Sequence, residues 1–346
     1  MTALALALAK WAGSLRPDPA DLDLADRSLR DTVAVALAAS GHPVTLLAAG
    51  LPDGARWAVA AHVLDFDDLH MDSTTHISAL CVPAALATGG GALGYLAAAG
   101  VMARLGTALG WPHYSAGWHA TCTAGAPACA AGAAVALGLD PERIATAIAL
   151  ALPGAVELAG PAVPGGLAIK IYPCCYALQR PINALAELAG GLDPGSVRGI
   201  VLRTPEATVA PLIHHRPDTG LQGKFSLEYA AAAALLDQHP GFASFTDEAV
   251  RRPAARRLAS LVEIELSPGG SWLLDGELAA EVHTDGEVLR VEQQFPPGAP
   301  QRPPNAGELH AKLSDCVAGL DADPSSWTWE DAAGVLARFL PAGGGR

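Results

Sequence analysis

Thr121–Leu139 reads TCTAGAPACAAGAAVALGL, a run of small apolar residues without a single charge. Alanine is the strongest helix former, and Gly138 stands where a glycine ends a helix. Asp140-Pro141-Glu142 then opens another helix, read as Glu142–Leu152, with proline in its first turn. Side chains this small let helix axes approach closely, so the stretch predicts a core of tightly packed helices. The same habit extends outward. Pro19–Ala39 spaces Leu22, Ala25, Leu29, Val33 and Ala36 three to four residues apart, and Gly41 closes it. Arg56–Asp68 reads as a further helix that ends in a cluster of carboxylates.

After about residue 190 the pattern changes. Val197–Arg203, Val262–Leu266, Leu278–Thr284 and Val288–Glu292 read as short strands, the last two joined by the hairpin signal Thr284-Asp285-Gly286-Glu287. Phe225–Leu236 and Asp247–Ala259 read as helices between them. Pro296–Pro300 and Pro303-Pro304 form a linker, after which Ala306–Leu320 and Trp329–Leu340 return to helix.

Composition bounds the function. Of 346 residues 51% are apolar but only 5% aromatic, which suits alanine-rich helices better than a β-sandwich. Thirty-five acids against twenty-two bases give a net charge of −13, which argues against nucleic acid as the main partner. Ser73–Ala103 and Leu105–Leu139 lack charge, yet they carry His76, His113, His119, prolines and many hydroxyls. Such a load suits a buried core around a polar cavity rather than a membrane span. The opening MTALALALAKWAGSL lacks the basic start and cleavage site of a signal peptide and reads as an amphipathic helix. Cys81, Cys122, Cys129, Cys174, Cys175 and Cys316 form no CxxC and read as thiols of a reducing cytoplasm. No His/Cys cluster at zinc spacing and no dinucleotide, P-loop or GxSxG signature occurs, so no metal and no cofactor are expected.

Four segments could carry chemistry. His62-Val63-Leu64-Asp65-Phe66-Asp67-Asp68-Leu69-His70, followed by Thr75-His76, would put Asp65 and Asp68 on one helix face with His76 close by. A carboxylate that orients an imidazole makes a general base; the same residues also read as solvated acids at a helix end. Gly117-Trp118-His119-Ala120-Thr121 sets a histidine ahead of a small-residue helix, among unpaired N–H groups that suit a carboxylate. Lys170-Ile171-Tyr172-Pro173-Cys174-Cys175 contains the one lysine between Lys10 and Lys224. His214-His215-Arg216, with Gly223-Lys224-Phe225-Ser226, is a candidate basic loop before a helix.

In this order DFDDLH, GWHATCTAG, KIYPCC and GKFSLEYA, with FTDEAV and LHAKLSDCVAG after them, resemble the family of 2-methylcitrate dehydratase and cis-aconitate decarboxylase, the MmgE/PrpD family. The resemblance implies a mostly α fold with an α+β lid. Residues 1–190 and 301–346 would form the helical domain and residues 191–300 the lid, assembled as a homodimer with the site between helical domain and lid. It also implies cofactor-free chemistry on a small carboxylic acid. By the matching motifs, His76, His119, Asp65 and Lys170 are the expected catalytic residues, and Lys224, Asp68, Cys175 and Ser226 the expected substrate contacts. His62 and His239 are expected to be silent. Two departures stand out: Leu69 replaces a frequent threonine, and only Gly160–Ile169 fills a stretch that is longer in the family and carries further basic and histidine residues.

The expected reaction is dehydration: a proton leaves the carbon beside a carboxylate and a β-hydroxyl is expelled, which needs a base and donors for the enolate charge. A decarboxylase, isomerase or cyclase would use the same groups, and an inactive relative could persist as a partner protein. No lysine or arginine lies between Arg104 and Arg143. A buried, unpaired carboxylate costs several kcal/mol, so one or two carboxylates fit better than three, in a specialised biosynthetic pathway.

Overall fold

A computed structural model describes residues 3–148, 161–268 and 276–340. The chain divides into two compact units, Met1–Ile169 with Cys316–Arg346, and Lys170–Asp315.

In the first unit, helix α1 (Ala3–Ser14) precedes α2 (Pro19–Ala38), whose start follows from its residues. Asp18 accepts the N–H of Asp21, Asp21 accepts that of Asp18, and Pro19 holds the first helical position. Next come α3 (Asp53–His62), α4 (Ser78–Thr88), α5 (Gly91–Ser115), α6 (Ala120–Ala136) and α7 (Pro141–Ile148). The part of the expected Glu142–Leu152 helix beyond residue 148 lies outside the described residues. Helices α5 and α6 pack along their lengths, α4 packs on α3, α5 and α6, and Ala332–Phe339 returns to α2 and α4. By length and composition α5 could cross a membrane, but most of it is buried, as in a core helix, and it kinks at Gly110.

The second unit holds the four expected strands as one sheet. Its order is β4–β3–β5–β6 once the two-residue pair β1 (Leu69–His70) and β2 (Leu167–Ala168) of the first unit is numbered. Strand β3 (Val197–Pro205) runs parallel to β4 (Val262–Ser267) and antiparallel to β5 (Leu278–Thr284), which turns through Asp285-Gly286 into β6 (Val288–Gln293). Thr284 closes that hairpin by exchanging bonds with Glu287. Helices α8 (Gln179–Leu188) and α9 (Leu227–Asp237) pack on each other, and α8 also covers β5 and β6. For this reason the division falls at Ile169–Lys170 rather than near residue 190. The mostly α fold with a smaller α+β part is as expected.

Two helices differ from expectation. Asp247–Ala259 is broken into Asp247–Arg251 and Pro253–Ala259, with Arg252 extended at ψ 131°. A proline ring disfavours helical geometry in the residue before it. Arg56–Asp68 ends at His62 instead, with consequences for the site.

Small residues let α5 and α6 touch backbone to backbone. A Cβ on Gly132 would lie 2.5 Å from the Gly94 carbonyl oxygen and 2.7 Å from the Ala98 Cβ. Helix propensity alone favours alanine over glycine by about 1 kcal/mol, but overpacking typically costs about 1–3 kcal/mol. Gly132→Ala is therefore expected to lower stability in a urea titration, and a stabilised variant would show that α5 and α6 are not closely apposed.

Candidate active site

Helix α3 delivers His62 as its last residue. Beyond it Asp65 takes a left-handed conformation, φ 53°, and donates its N–H to the His62 carbonyl. This turn ends the helix and sends Phe66, Asp67 and Asp68 inward, where all three are buried, while Asp65 stays half-buried. Asp65 and Asp68 therefore do not share a helical face. The carboxylate that meets His76 is that of Asp67.

Asp67 is fully buried, and its Oδ2 lies 2.8 Å from His62 Nδ1 and 3.1 Å from His76 Nδ1. The first is a hydrogen bond; the second is close but not aligned as one, and Asp67 Oδ1 has no partner among the described residues. Burial pushes the Asp67 carboxyl up, but the charge of the nearby His76 and the hydrogen bond from His62 outweigh it and hold it well below the usual range. His62, expected to be silent, is thus part of the cluster. Its ring lies 4.7 Å from that of His76, centroid to centroid.

His76 is fixed from two sides. The preceding loop is tied down by His70, whose Nε2 bonds the Pro164 carbonyl while its Nδ1 meets Ser73 Oγ, each at 2.7 Å. Burial lowers the pKa of His70, and both its ring nitrogens are engaged in holding this loop. His76 itself donates its N–H to Thr121 Oγ1 at 2.9 Å. Thr121 in turn donates its N–H to Nδ1 of His119, the N-cap of α6, at 3.3 Å. One residue therefore joins both histidines, whose rings lie 6.0 Å apart. Neutral His119 then carries its proton on Nε2. Partial burial, then the nearby His76 and His62, push its pKa below the ordinary histidine value, against the pull of Asp65 and Asp67.

Asp68, expected to bind substrate, is taken up inside the unit. Its Oδ1 accepts the Ser78 N–H at 3.0 Å at the start of α4, and Ser78 Oγ meets the Tyr95 hydroxyl. Burial, with Asp31 and Asp67 nearby, pushes its carboxyl up to about 7.

The other expected residues belong to the second unit. Lys170 is 1% exposed and opens a loop whose backbone is held by Gln179: Oε1 accepts the N–H of Ile171 and of Tyr172, and Nε2 donates to the Tyr172 carbonyl. Half-buried Cys175 donates its N–H to the Lys224 carbonyl. Ser226 is fully buried and caps α9 by accepting the Tyr229 N–H, so its hydroxyl serves the helix. His239 packs on the Tyr172 ring.

Residue reading missed Asp67, His62, Thr121 and Gln179. The DFDD motif did flag the acids, but not which of them turns inward. Likewise, no metal-ligand spacing exists along the sequence, yet the fold brings His62, Asp67 and His76 to within 4.8 Å of one another, a set able to hold a metal ion.

Asp68 carries a pH prediction for the metal-free protein. Its carboxyl is raised from 3.8 unfolded to about 7 folded, so its stabilising contribution is full where both states are protonated and is lost as pH climbs through that window. Asp68→Asn keeps the acceptor for Ser78 and removes the titration. The variant is expected to gain on the parent between pH 4 and pH 8, by up to a few kcal/mol. Parallel stability–pH curves from urea unfolding would contradict this.

Residues 52–159 match the family model of the MmgE/PrpD N-terminal domain, and residues 172–326 that of the MmgE/PrpD C-terminal domain. Two curated relatives are named cis-aconitate decarboxylase, both from Aspergillus terreus. One is 26% identical over 184 residues, covering 44% of this chain and 37% of the relative; the other is 25% identical over 173 residues, covering 45% and 35%. The chain thus spans little more than a third of the length of the curated relatives it matches.

Proposed function

Since the chain belongs to the MmgE/PrpD family, we propose that it is a cofactor-independent lyase that abstracts a proton beside the carboxylate of a small or medium carboxylic acid and expels a β-hydroxyl. The observation that carries this reading is the pair His76–Asp67, with His119 one ring away. With its Nδ1 proton turned to the Asp67 carboxylate, His76 has its Nε2 lone pair available as base. The imidazolium formed on proton abstraction is stabilised by the same carboxylate. That proton can then be returned to the departing hydroxyl, which leaves as water, while the carbon electron pair forms the new double bond.

His119 takes a different part from the second base expected of it. Its Nδ1 lone pair is engaged by Thr121, which leaves an Nε2–H donor. A donor of that kind suits the charge that develops on the substrate carboxylate as the carbon is deprotonated.

Decarboxylation is the second reading, favoured by the names of the two relatives. There the carboxylate leaves as carbon dioxide, and protonated His76 delivers its proton to the carbanion.

The test is to offer the protein hydroxy-acids and unsaturated acids with one to three carboxylates, following new C=C absorbance and carbon dioxide release separately. Turnover of a β-hydroxy acid with no gas is expected. His76→Ala and Asp67→Asn should each lower kcat by about 10²-fold or more, and Asp65→Asn by much less. His119→Gln, which keeps an N–H donor, should retain more activity than His119→Phe. Full activity in His76→Ala would sink the mechanism, and gas release from an unsaturated acid would move the assignment to the decarboxylase.

A further inference from the structure

We propose that His62, Asp67 and His76 form a binding site for a divalent transition-metal ion, zinc above all, and that the ion silences the site rather than serving it. The binding half stands on geometry alone; the silencing half rests on the proposed role of His76 as base.

Two imidazoles and one carboxylate are the donor set that zinc and its neighbours in the first transition row prefer. Here the donor atoms are already gathered. Asp67 Oδ2 lies 2.8 Å from one ring nitrogen and 3.1 Å from the other, and all three lie within 4.8 Å of one another. Ligands of one tetrahedral zinc ion, each about 2.0–2.1 Å from the metal, stand a little over 3 Å apart, so small side-chain shifts would admit it. Each donor sits where the backbone limits its movement: His62 ends α3, Asp67 follows the left-handed turn at Asp65, and His76 is bonded through its N–H to Thr121.

A second observation points to a ligand. Asp67 Oδ1 is buried with no hydrogen-bond partner among the described residues, and His76 Nδ1, equally buried, has only the misaligned approach to Asp67. A buried carboxylate that the protein leaves half-satisfied calls for an explanation, and a coordinated cation supplies one. Access is open on one side, since the His62 side chain is 45% exposed.

The effect on chemistry follows from tautomers. His62 and His76 both present Nδ1 to Asp67. A metal bound at Nδ1 of His76 leaves the neutral ring with its proton on Nε2, and so with no lone pair to take a proton from carbon. The ion also draws the Asp67 carboxylate away from the imidazolium it would stabilise. Binding three protein ligands leaves zinc a fourth position, which a substrate carboxylate can fill unproductively.

The test uses the full chain, freed of any affinity tag and treated with chelator. Cobalt(II) is titrated in while its visible d–d absorption is followed, and zinc(II) is titrated by calorimetry. One ion per chain and the intense absorption of tetrahedral cobalt are expected. His62→Gln and Asp67→Asn, checked for folding by circular dichroism, should each weaken binding by about tenfold or more. No saturable cobalt signal, or affinity unchanged in both variants, would overturn the site. Where a substrate is turned over, zinc should inhibit the parent and chelator should restore it; zinc-stimulated turnover would overturn the silencing role. If no carboxylic acid is turned over, the functional reading fails alone, because the cobalt titration decides the site without it.

Discussion

A carboxylate removed from water and shared by two imidazoles holds the first unit's polar centre together. Asp67 is fully buried, and burial of an unpaired carboxylate costs several kcal/mol. His62 and His76 offset that cost from two sides, so the acid remains charged. Its neighbour Asp68 is just as buried but faces a backbone N–H and another acid, and it is pushed up to about 7. Adjacent carboxylates driven in opposite directions divide the work. One stays an anion and holds imidazoles, while the other can sit neutral in the core at the start of α4. The left-handed turn at Asp65 makes the division possible by carrying both side chains inward.

Thr121 extends this arrangement to the third histidine. Its hydroxyl receives the His76 N–H and its own N–H reaches His119, so a shift in the first turn of α6 would be felt by both rings. Farther along, α6 packs backbone to backbone on α5, as seen at Gly132.

Small residues explain how much was legible in the sequence. Alanine-rich periodicity and proline or glycine punctuation located α2, α6 and the strands, because such signals are local. Motif resemblance singled out His76 and His119, whose rings the fold brings within 6.0 Å of each other. What failed was DFDD, read as a continuation of α3. A single left-handed residue leaves no trace in a hydrophobic pattern, yet it rotates every later side chain; hence Asp65 was expected where Asp67 stands. His62 looked idle for the same reason, since its partner lies beyond the turn. The link from Thr121 to His119 could have been found, since an N-cap side chain accepts a backbone N–H of the first turn. Pro253 did announce the break after Arg251, through its effect on Arg252.

The placing of the three histidines has a common cause. A helix interior built of alanine and glycine satisfies its own backbone and has little room for a large polar ring, so such rings collect at helix ends. His62 ends α3, and His119 caps the start of α6. The two ends have opposite polarity: the C-terminus of a helix favours a protonated imidazole, and the N-terminus favours a neutral one. This agrees with the lowered pKa of His119, on which partial burial and its charged neighbours act first. His76 lies between them, just before the start of α4, with Asp67 on one side and Thr121 on the other. An ionised carboxylate can stabilise a proton on His76, while the α6 terminus discourages one on His119. In the proposed mechanism proton transfer therefore falls to the histidine that touches Asp67, and hydrogen-bond donation to the one that caps α6.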